Sequence, residues 1–414
     1  MRVATLSIGD ELLSGEVVDT NQSQIADRLY DAGIRVLRHL TVPDHEESIV
    51  QALQELARSS DAVVVTGGLG PTPDDLTARA AARAAGVGQE LSEQALRHLE
   101  VFAGRISGGL HPANRRQALL PAGCTLVPNP LGTACGFVVR IEAADFFFLP
   151  GVPYEMERML EETVLPRLGR GDSASWQRVT LKFFGLAEAA AAELLQGALP
   201  EGSPVQLAYC VKFPEIHLIL RAAKQHSDLL REAAATVRQR LGDFVFARDR
   251  ETMDDRLALL FREKGVTLAL AESCTGGMIA ARITAVPGSS AYFLEGNVTY
   301  SNEAKSRMLG VPAELIERHG AVSAEVASAM ADGARRAAGS DLALSVTGIA
   351  GPDGGTPEKP VGTVYLALAD ASSCLVKRYN FQGDRDVVRS VTCFTALDWL
   401  RKHLLAATGA PTRS

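Results

Sequence analysis

The chain has 414 residues and a mass of 44.0 kDa, with 46% hydrophobic residues, 22% charged residues and a mean hydropathy of +0.05. That length exceeds what one hydrophobic core supports and predicts two to four domains, three being the working number, while the composition excludes a largely disordered chain. A net charge of −7 and a pI near 5.7 argue against a dedicated nucleic-acid surface, which needs clustered Lys and Arg, so no strong nucleic-acid binding is expected.

Asp10 and Glu11 fall where a signal peptide would be apolar, and no run approaches the length of a membrane span, so a soluble, cytoplasmic protein without membrane contact is expected. The six cysteines (Cys124, Cys135, Cys210, Cys274, Cys374 and Cys393) are widely spaced and form no C-x-x-C pair, which predicts thiols rather than a zinc knuckle or redox dithiol. Cys274 stands out because it sits in a glycine-rich motif.

In chain order, Val3–Ile8 reads as a buried strand, 21–32 as a helix and Ala62–Val65 as a second strand, an alternation that predicts βαβ units up to about Arg167. The first strand runs into Gly9-Asp10-Glu11, with Asp19, Thr20 and Asn21 beyond. Thr20 or Asn21 could equally cap the following helix. The Ala62–Val65 strand runs into Thr66-Gly67-Gly68-Leu69-Gly70-Pro71-Thr72-Pro73-Asp74-Asp75. Such glycines let backbone approach a phosphate, and the adjacent carboxylates suit a hard divalent cation, although acids at a helix start also complement its dipole. A Walker A lysine and the third glycine of a Rossmann fingerprint are both missing.

Gly169 to Ser173 reads as a linker, and Val179–Phe184 with Ile216–Leu220 as strands of a small α+β segment. The β/α alternation resumes after Arg248-Asp249-Arg250-Glu251, with strands at Leu268–Leu270, Leu342–Val346 and Val361–Leu368 and a helix at 325–338. Residues 406–414 are expected to be disordered.

Strand Leu268–Leu270 leads into Ala271-Glu272-Ser273-Cys274-Thr275-Gly276-Gly277 and then a helix. A hydroxyl at such a turn sits beside backbone N–H groups that can hold an oxyanion. No Ser-His-Asp set is evident, so a serine here needs another base, and a desolvated lysine can serve. Lys305, in Thr299-Tyr300-Ser301-Asn302-Glu303-Ala304-Lys305, is the candidate. Ser301 is a rival nucleophile if that stretch is helical, and Cys274 is a runner-up on chemistry alone. A second loop, Thr347 to Gly355, follows the Leu342–Val346 strand, and Arg385 can reach a phosphate.

The Ala271–Gly277, Val298–Lys305, Gly348–Gly355 and Lys359–Thr363 motifs together resemble the C-terminal domain of the CinA family. The Gly9–Asn21, Thr66–Thr77, Asn114–Pro121, Asn129–Phe137 and Leu149–Met156 segments resemble its N-terminal domain, which is related to the molybdopterin-binding fold. The resemblance implies an α/β, multidomain chain. Two three-layer α/β/α domains with mainly parallel sheets, residues 1–168 and 253–410, are expected to be joined by a small α+β domain at 174–248.

It further implies deamidation of nicotinamide mononucleotide by a metal-free serine amidase. Ser273 would be the nucleophile and Lys305 the base, with Tyr300 and Thr347 tuning the dyad. Glu272, Thr275, Gly276, Gly277, Asn302, Gly348 and Arg385 would bind the substrate. For the N-terminal domain it implies hydrolysis of ADP-ribose to AMP and ribose 5-phosphate. Gly67, Gly68, Gly70, Asp10, Glu11, Asn21 and Asn114 would contact that substrate, and Asp74 and Asp75 would hold a divalent ion (Mg, Mn or Co). A homodimer is also expected. The alternatives are a deamidase with a non-catalytic N-terminal ligand-binding or oligomerisation module, and an interaction protein in competence or DNA repair. One departure is Cys135, where family members commonly carry proline, so the loop geometry there is expected to differ.

Overall fold

The structure, a computed structural model, describes residues 1–105, 109, 111–169 and 176–406. Most of the expected linker at 169–173 and all but the first residue of the expected disordered tail at 406–414 therefore lie outside the described residues. Backbone contacts divide the chain into two compact units, residues 1–177 with 223–225, and residues 178–222 with 226–414. Among the described residues no helix is long and apolar enough to cross a membrane.

The first unit is built on a six-stranded sheet in the order Val36–Val42, Val3–Ile8, Ala62–Thr66, Ala144–Leu149, Gly136–Ile141, Thr125–Val127. The first four strands run parallel, Gly136–Ile141 runs against them and Thr125–Val127 reverses again, so this sheet is mixed. Every residue of Val3–Ile8 and Ala62–Thr66 is buried, as central parallel strands covered on both faces require. Alternate residues serve the two faces. Leu6, Val63 and Val65 pack with Ile49, Leu53 and Leu56 of helix Glu46–Ser59, while Val3 and Val64 pack with Ile25 and Leu29 of helix Thr20–Asp31.

All four parallel strands end at the same edge of the sheet, which gathers the loops beginning at Gly9, Asp44, Gly67 and Pro150. The expected strands and helix are present here. Strand Val36–Val42 and the hairpin Gly136–Ile141/Ala144–Leu149 were not anticipated.

The second unit holds two sheets. One has four strands in the order Gln206–Lys212, Glu215–Ala222, Gln177–Phe183, Val245–Arg248, where the sequence pattern marked only two. The other has five, ordered Phe293–Val298, Leu268–Glu272, Leu342–Gly348, Thr363–Ala369, Cys374–Asn380. Its first three strands are parallel, and Thr363–Ala369 and Cys374–Asn380 follow as successive antiparallel pairings instead of continuing the β/α alternation. Helix Arg385–Ala406 ties the two sheets into one unit. The Phe394 ring lies 4.6 Å from that of Phe184 and 5.5 Å from that of Phe246, and buried Arg401, paired with Asp398 at 2.7 Å, donates to the Asp243 carbonyl.

Candidate active sites

In the second unit, strand Leu268–Glu272 sits between its two parallel neighbours and delivers Ser273 at its carboxyl end. The chain must reverse at once into helix Met278–Ala285. Gly276 (φ +62°) and Gly277 (φ +94°) provide the left-handed backbone that this needs. Lys305 arrives from helix Asn302–Leu309, whose inward face carries only Lys305 and Leu309. It is 1% exposed, and its Nζ lies 3.2 Å from Ser273 Oγ, 2.8 Å from the Thr299 carbonyl oxygen and 3.4 Å from that of Tyr300.

Burial pushes the Lys305 pKa below the ordinary lysine value, against a weaker opposing pull from Cys274. The neutral amine has two N–H donors and one lone pair. Nζ donates to Ser273 Oγ and to both carbonyls; in the deprotonated amine the carbonyls would keep the two N–H donors and the lone pair would face the Ser273 hydroxyl. A serine paired with a neutral amine is an activated nucleophile.

Neither rival nucleophile fits this geometry. Ser301 is the N-cap of its helix, its hydroxyl accepting from the Ala304 N–H at 3.1 Å. The Cys274 thiol is pushed up to about 12, chiefly by burial with Glu272 adding to it, so its thiolate is scarce at neutral pH.

Other expected residues take mixed places. Arg385 donates to the Tyr300 hydroxyl at 2.8 Å and to the Gly351 carbonyl at 2.7 Å, bridging the lysine loop and the Thr347–Gly355 loop. Tyr300 is exposed, and so is Asn302, the first residue of the Lys305 helix. Gly348 packs against Cys274, Thr363 and Val364 so closely that a side chain would collide with Val364 and crowd the other two. Thr275 is fully buried with its hydroxyl unpartnered.

Two expectations change. Glu272 does not face a ligand: its buried carboxylate accepts from the backbone N–H groups of Gly277, Ile279 and Ala280 at 2.9–3.2 Å. The Thr347 hydroxyl donates to the Ala321 carbonyl at 2.8 Å, so it braces a loop instead of the dyad. Arg389, which no motif marked, donates to the carbonyls of Cys274 at 3.2 Å and Thr275 at 3.1 Å.

In the first unit the gathered strand ends form a cleft of about 520 Å³. Gly67, Gly68, Gly70, Glu11, Asn21, Asp74 and Asp75 line it, as expected, joined by Asp44, Gln117 and Glu155. Gly67 (φ +104°) lies so close to the Ile8 carbonyl that any side chain would strike it. Asp44 accepts from the Asp10 N–H at 3.0 Å, and its carboxyl is raised, first by burial and then by Glu11, Asp10 and Asp74. Asp44 follows the strand that the sequence pattern did not mark, which is why it was missed.

The two expected metal ligands differ. Asp75 accepts from Gly70 N–H, Thr72 N–H and the Thr72 hydroxyl at 2.6–2.8 Å, so it closes the glycine loop. Asp74 is exposed and shares the acidic edge with Asp44. Among the described residues no three His, Cys, Asp or Glu side chains converge on a metal position. Magnesium commonly binds through one or two carboxylates plus substrate phosphates and water, and the mutually repelling acids around Asp44 fit that mode.

Asn114 supports the cleft from behind, bonding Gln117 at 3.0 Å, and Gln117 in turn donates to the Leu69 carbonyl. Around Cys135, which is buried, Asn129 fixes the loop by donating to the Ala134 carbonyl and to Glu155, and by accepting from Leu131 and Gly132.

Comparison with known proteins divides the chain in three. Residues 4–170 match the model "Probable molybdopterin binding domain", 178–247 the "Damage-inducible protein CinA KH domain" and 250–404 the "CinA C-terminal domain". A CinA-like protein of Citrifermentans bemidjiense is 77% identical over 413 residues, covering 100% of both chains. One from Geobacter metallireducens is 56% identical, over 98% of this chain and 100% of that one. Among solved structures, the competence/damage inducible protein CihA of Agrobacterium tumefaciens is 42% identical, over 37% of this chain and 93% of that one, with a TM-score of 0.36. Full-length likeness at this level, with each segment matched in order, means that the chain belongs to the CinA family.

Proposed function

We propose that the second unit hydrolyses the carboxamide of nicotinamide mononucleotide to nicotinate mononucleotide and ammonia. The observation that carries this is the buried Lys305 amine, which donates to Ser273 Oγ at 3.2 Å and to two backbone carbonyls. Ser273 attacks the amide carbon as its proton passes to Lys305, which then returns that proton to the departing ammonia. Water hydrolyses the resulting ester by the reverse sequence. Arg385, which holds Tyr300, would meet the substrate phosphate.

The test is ammonia release from nicotinamide mononucleotide in the presence of EDTA. Release by the wild type that is lost in Ser273→Ala and in Lys305→Ala supports the proposal. Absence of release by the wild type overturns it.

For the first unit we propose metal-dependent hydrolysis of ADP-ribose to AMP and ribose 5-phosphate. Gly67 to Gly70 would cradle the diphosphate, and one or two carboxylates of the acidic edge, Asp74 with Asp44, would hold a divalent cation together with the substrate phosphates, neutralising them and lowering the pKa of the attacking water. A second reading, a binding module without turnover, is favoured by the engagement of Asp75 within its own loop. Metal-dependent AMP release that is lost in Asp74→Ala would reject that second reading.

A further inference from the structure

A buried carboxylate needs hydrogen-bond donors or a cation, and in the cleft of the first unit Glu155 is short of both. It is 8% exposed, it lines the cleft, and its Oε2 accepts from Asn129 Nδ2 at 2.7 Å. Among the described residues no Lys, Arg or His pairs with it. An ionised carboxylate offers about four acceptor positions. Asn129 takes one, so most of the acceptor capacity of Glu155 is left for whatever enters the cleft.

The position of this carboxylate is built by its neighbours. Asn129 is fully buried with its amide saturated: Nδ2 donates to Glu155 and to the Ala134 carbonyl, and Oδ1 accepts from the Leu131 and Gly132 N–H groups. Asn21 Nδ2 donates to the Gly151 carbonyl at 2.7 Å and fixes the turn that leads into helix Pro153–Met159, which carries Glu155. The chain also leaves room for the carboxylate, since a Cβ on Gly132 would stand 2.1–2.4 Å from its carboxyl atoms.

Strand order places Glu155 within the cleft. The glycine loop follows strand Ala62–Thr66. On one flank of it Asp10 and Glu11 follow Val3–Ile8 and Asp44 follows Val36–Val42, while on the other flank Glu155 follows Ala144–Leu149. Neighbouring strands lie about 4.8 Å apart, so the strand before Glu155 is next to that of the glycine loop and three intervals, roughly 14 Å, from that of Asp44.

We infer that Glu155 is the acceptor for the vicinal hydroxyls of a ribose whose phosphate rests on Gly67–Gly70, and so determines specificity for ribose-bearing phosphates; this rests on the reading of the first unit as an ADP-ribose site. The phosphates bring no donors and repel a carboxylate, and the cation that neutralises them belongs to the opposite flank. Among the donors that ADP-ribose carries, the sugar hydroxyls lie nearest the diphosphate, whereas the amino group of adenine lies beyond the sugar and most of the base. A carboxylate that accepts from neighbouring ribose hydroxyls is also the contact that dinucleotide-binding folds use beside a glycine loop. ADP-ribose has a ribose on each side of its diphosphate, and the diol of either satisfies this subsite.

Binding tests this without turnover. Calorimetry on the full chain with magnesium compares AMP with 2′-deoxy-AMP, and ribose 5-phosphate with 2-deoxyribose 5-phosphate, for wild type, Glu155→Gln and Gly132→Ala. Glu155→Gln keeps an acceptor for Asn129 and removes the charge. Gly132→Ala pushes the carboxylate aside without backbone strain, because Gly132 is outside the left-handed region. Thermal melts check that each variant is folded.

The expected result is that the wild type binds one ribose ligand at least about 10-fold more tightly than its deoxy counterpart, and the pair that shows this assigns the diol to the adenosine or to the terminal ribose. In both variants the preference falls below about threefold through weaker binding of the ribose ligand, while the magnesium concentration that half-saturates binding stays within about twofold. Equal affinity within both pairs in the wild type, or a preference that survives in the folded variants, would overturn the inference. So would a tenfold rise in the magnesium requirement with the preference intact, which would make Glu155 a cation ligand. A Glu155-dependent ribose preference in a protein that releases no AMP from ADP-ribose would overturn the hydrolysis and keep the ribose site.

Discussion

Gly348 offers a sharp test of the dyad because it touches the nucleophile loop without carrying any chemistry. A Cβ there would stand 2.7 Å from Val364 Cγ2, 3.0 Å from the Thr363 carbonyl oxygen and 3.1 Å from Cys274 Sγ. Its backbone is ordinary extended strand, so Gly348→Ala introduces no conformational strain and acts by crowding alone. Overpacking of this kind costs about 1–3 kcal/mol, which for a unit of this size lowers the melting temperature by roughly 2–12 °C.

Part of the crowding is relieved by moving Cys274, the neighbour of Ser273. The Ser273–Lys305 contact is already 3.2 Å, so a shift of a few tenths of an ångström takes it beyond hydrogen-bond reach and is expected to lower kcat about tenfold or more. Calorimetry and ammonia release measure the two effects. Gly88→Ala, where nothing lies within 4 Å of the added methyl, serves as the neutral control. A Gly348→Ala protein with wild-type melting and wild-type kcat would refute the close packing of strand ends on which the site is built.

Because burial depresses the Lys305 pKa, ammonia release is expected to rise with pH through that depressed value and to level before the ordinary lysine value of 10.5, as a pH–kcat profile would show. The unfolded chain then binds the extra proton in that window, so folding stability should rise with pH across it as well. Cys274→Ala is expected to keep most of the deamidase activity, and iodoacetamide to leave the wild type active, since its thiol is pushed up to about 12; strong inactivation by either would restore Cys274 as a nucleophile. Gly67→Ala places a side chain against the Ile8 carbonyl at φ +104°, adding about 1–3 kcal/mol of strain, and should abolish AMP release from ADP-ribose while ammonia release persists. Asp44→Asn is expected to raise the half-saturating metal concentration about tenfold. With the Asp44 carboxyl raised, the folded state holds its proton more tightly than the unfolded state, so stability falls as pH rises above the ordinary carboxylate range. Asp44→Asn should remove that fall in a pH series of melts.

Much of the candidate sites was legible because local chemistry demanded it. A buried apolar run ending in glycines announces a strand that turns at the sheet edge, and the structure has Gly67–Gly70 and Ser273–Gly277 in such turns. Lys305 was marked by its motif, and its spacing alone allowed Ser301 as its partner. The structure pairs it with Ser273, 32 residues away, because Ser301 lies outside the helix as its cap. Polar residues in glycine loops invite assignment to a ligand, as for Glu272 and Asp75, or to the dyad, as for Thr347, and in the structure each satisfies backbone or loop donors and acceptors.

What the sequence determined by itself was the class of each segment, the glycine turns and the residue types needed for nucleophile, base and acidic edge, since these follow from periodicity, burial and the conformations open to each residue. What only the tertiary structure decided was which polar groups remain free. Asp44 and Arg389 owe their places to neighbours brought together by strand order and helix docking. Hydrogen-bond satisfaction is a property of the assembled fold, in which partners 30 to 115 residues apart consume one another's donors and leave a few for chemistry.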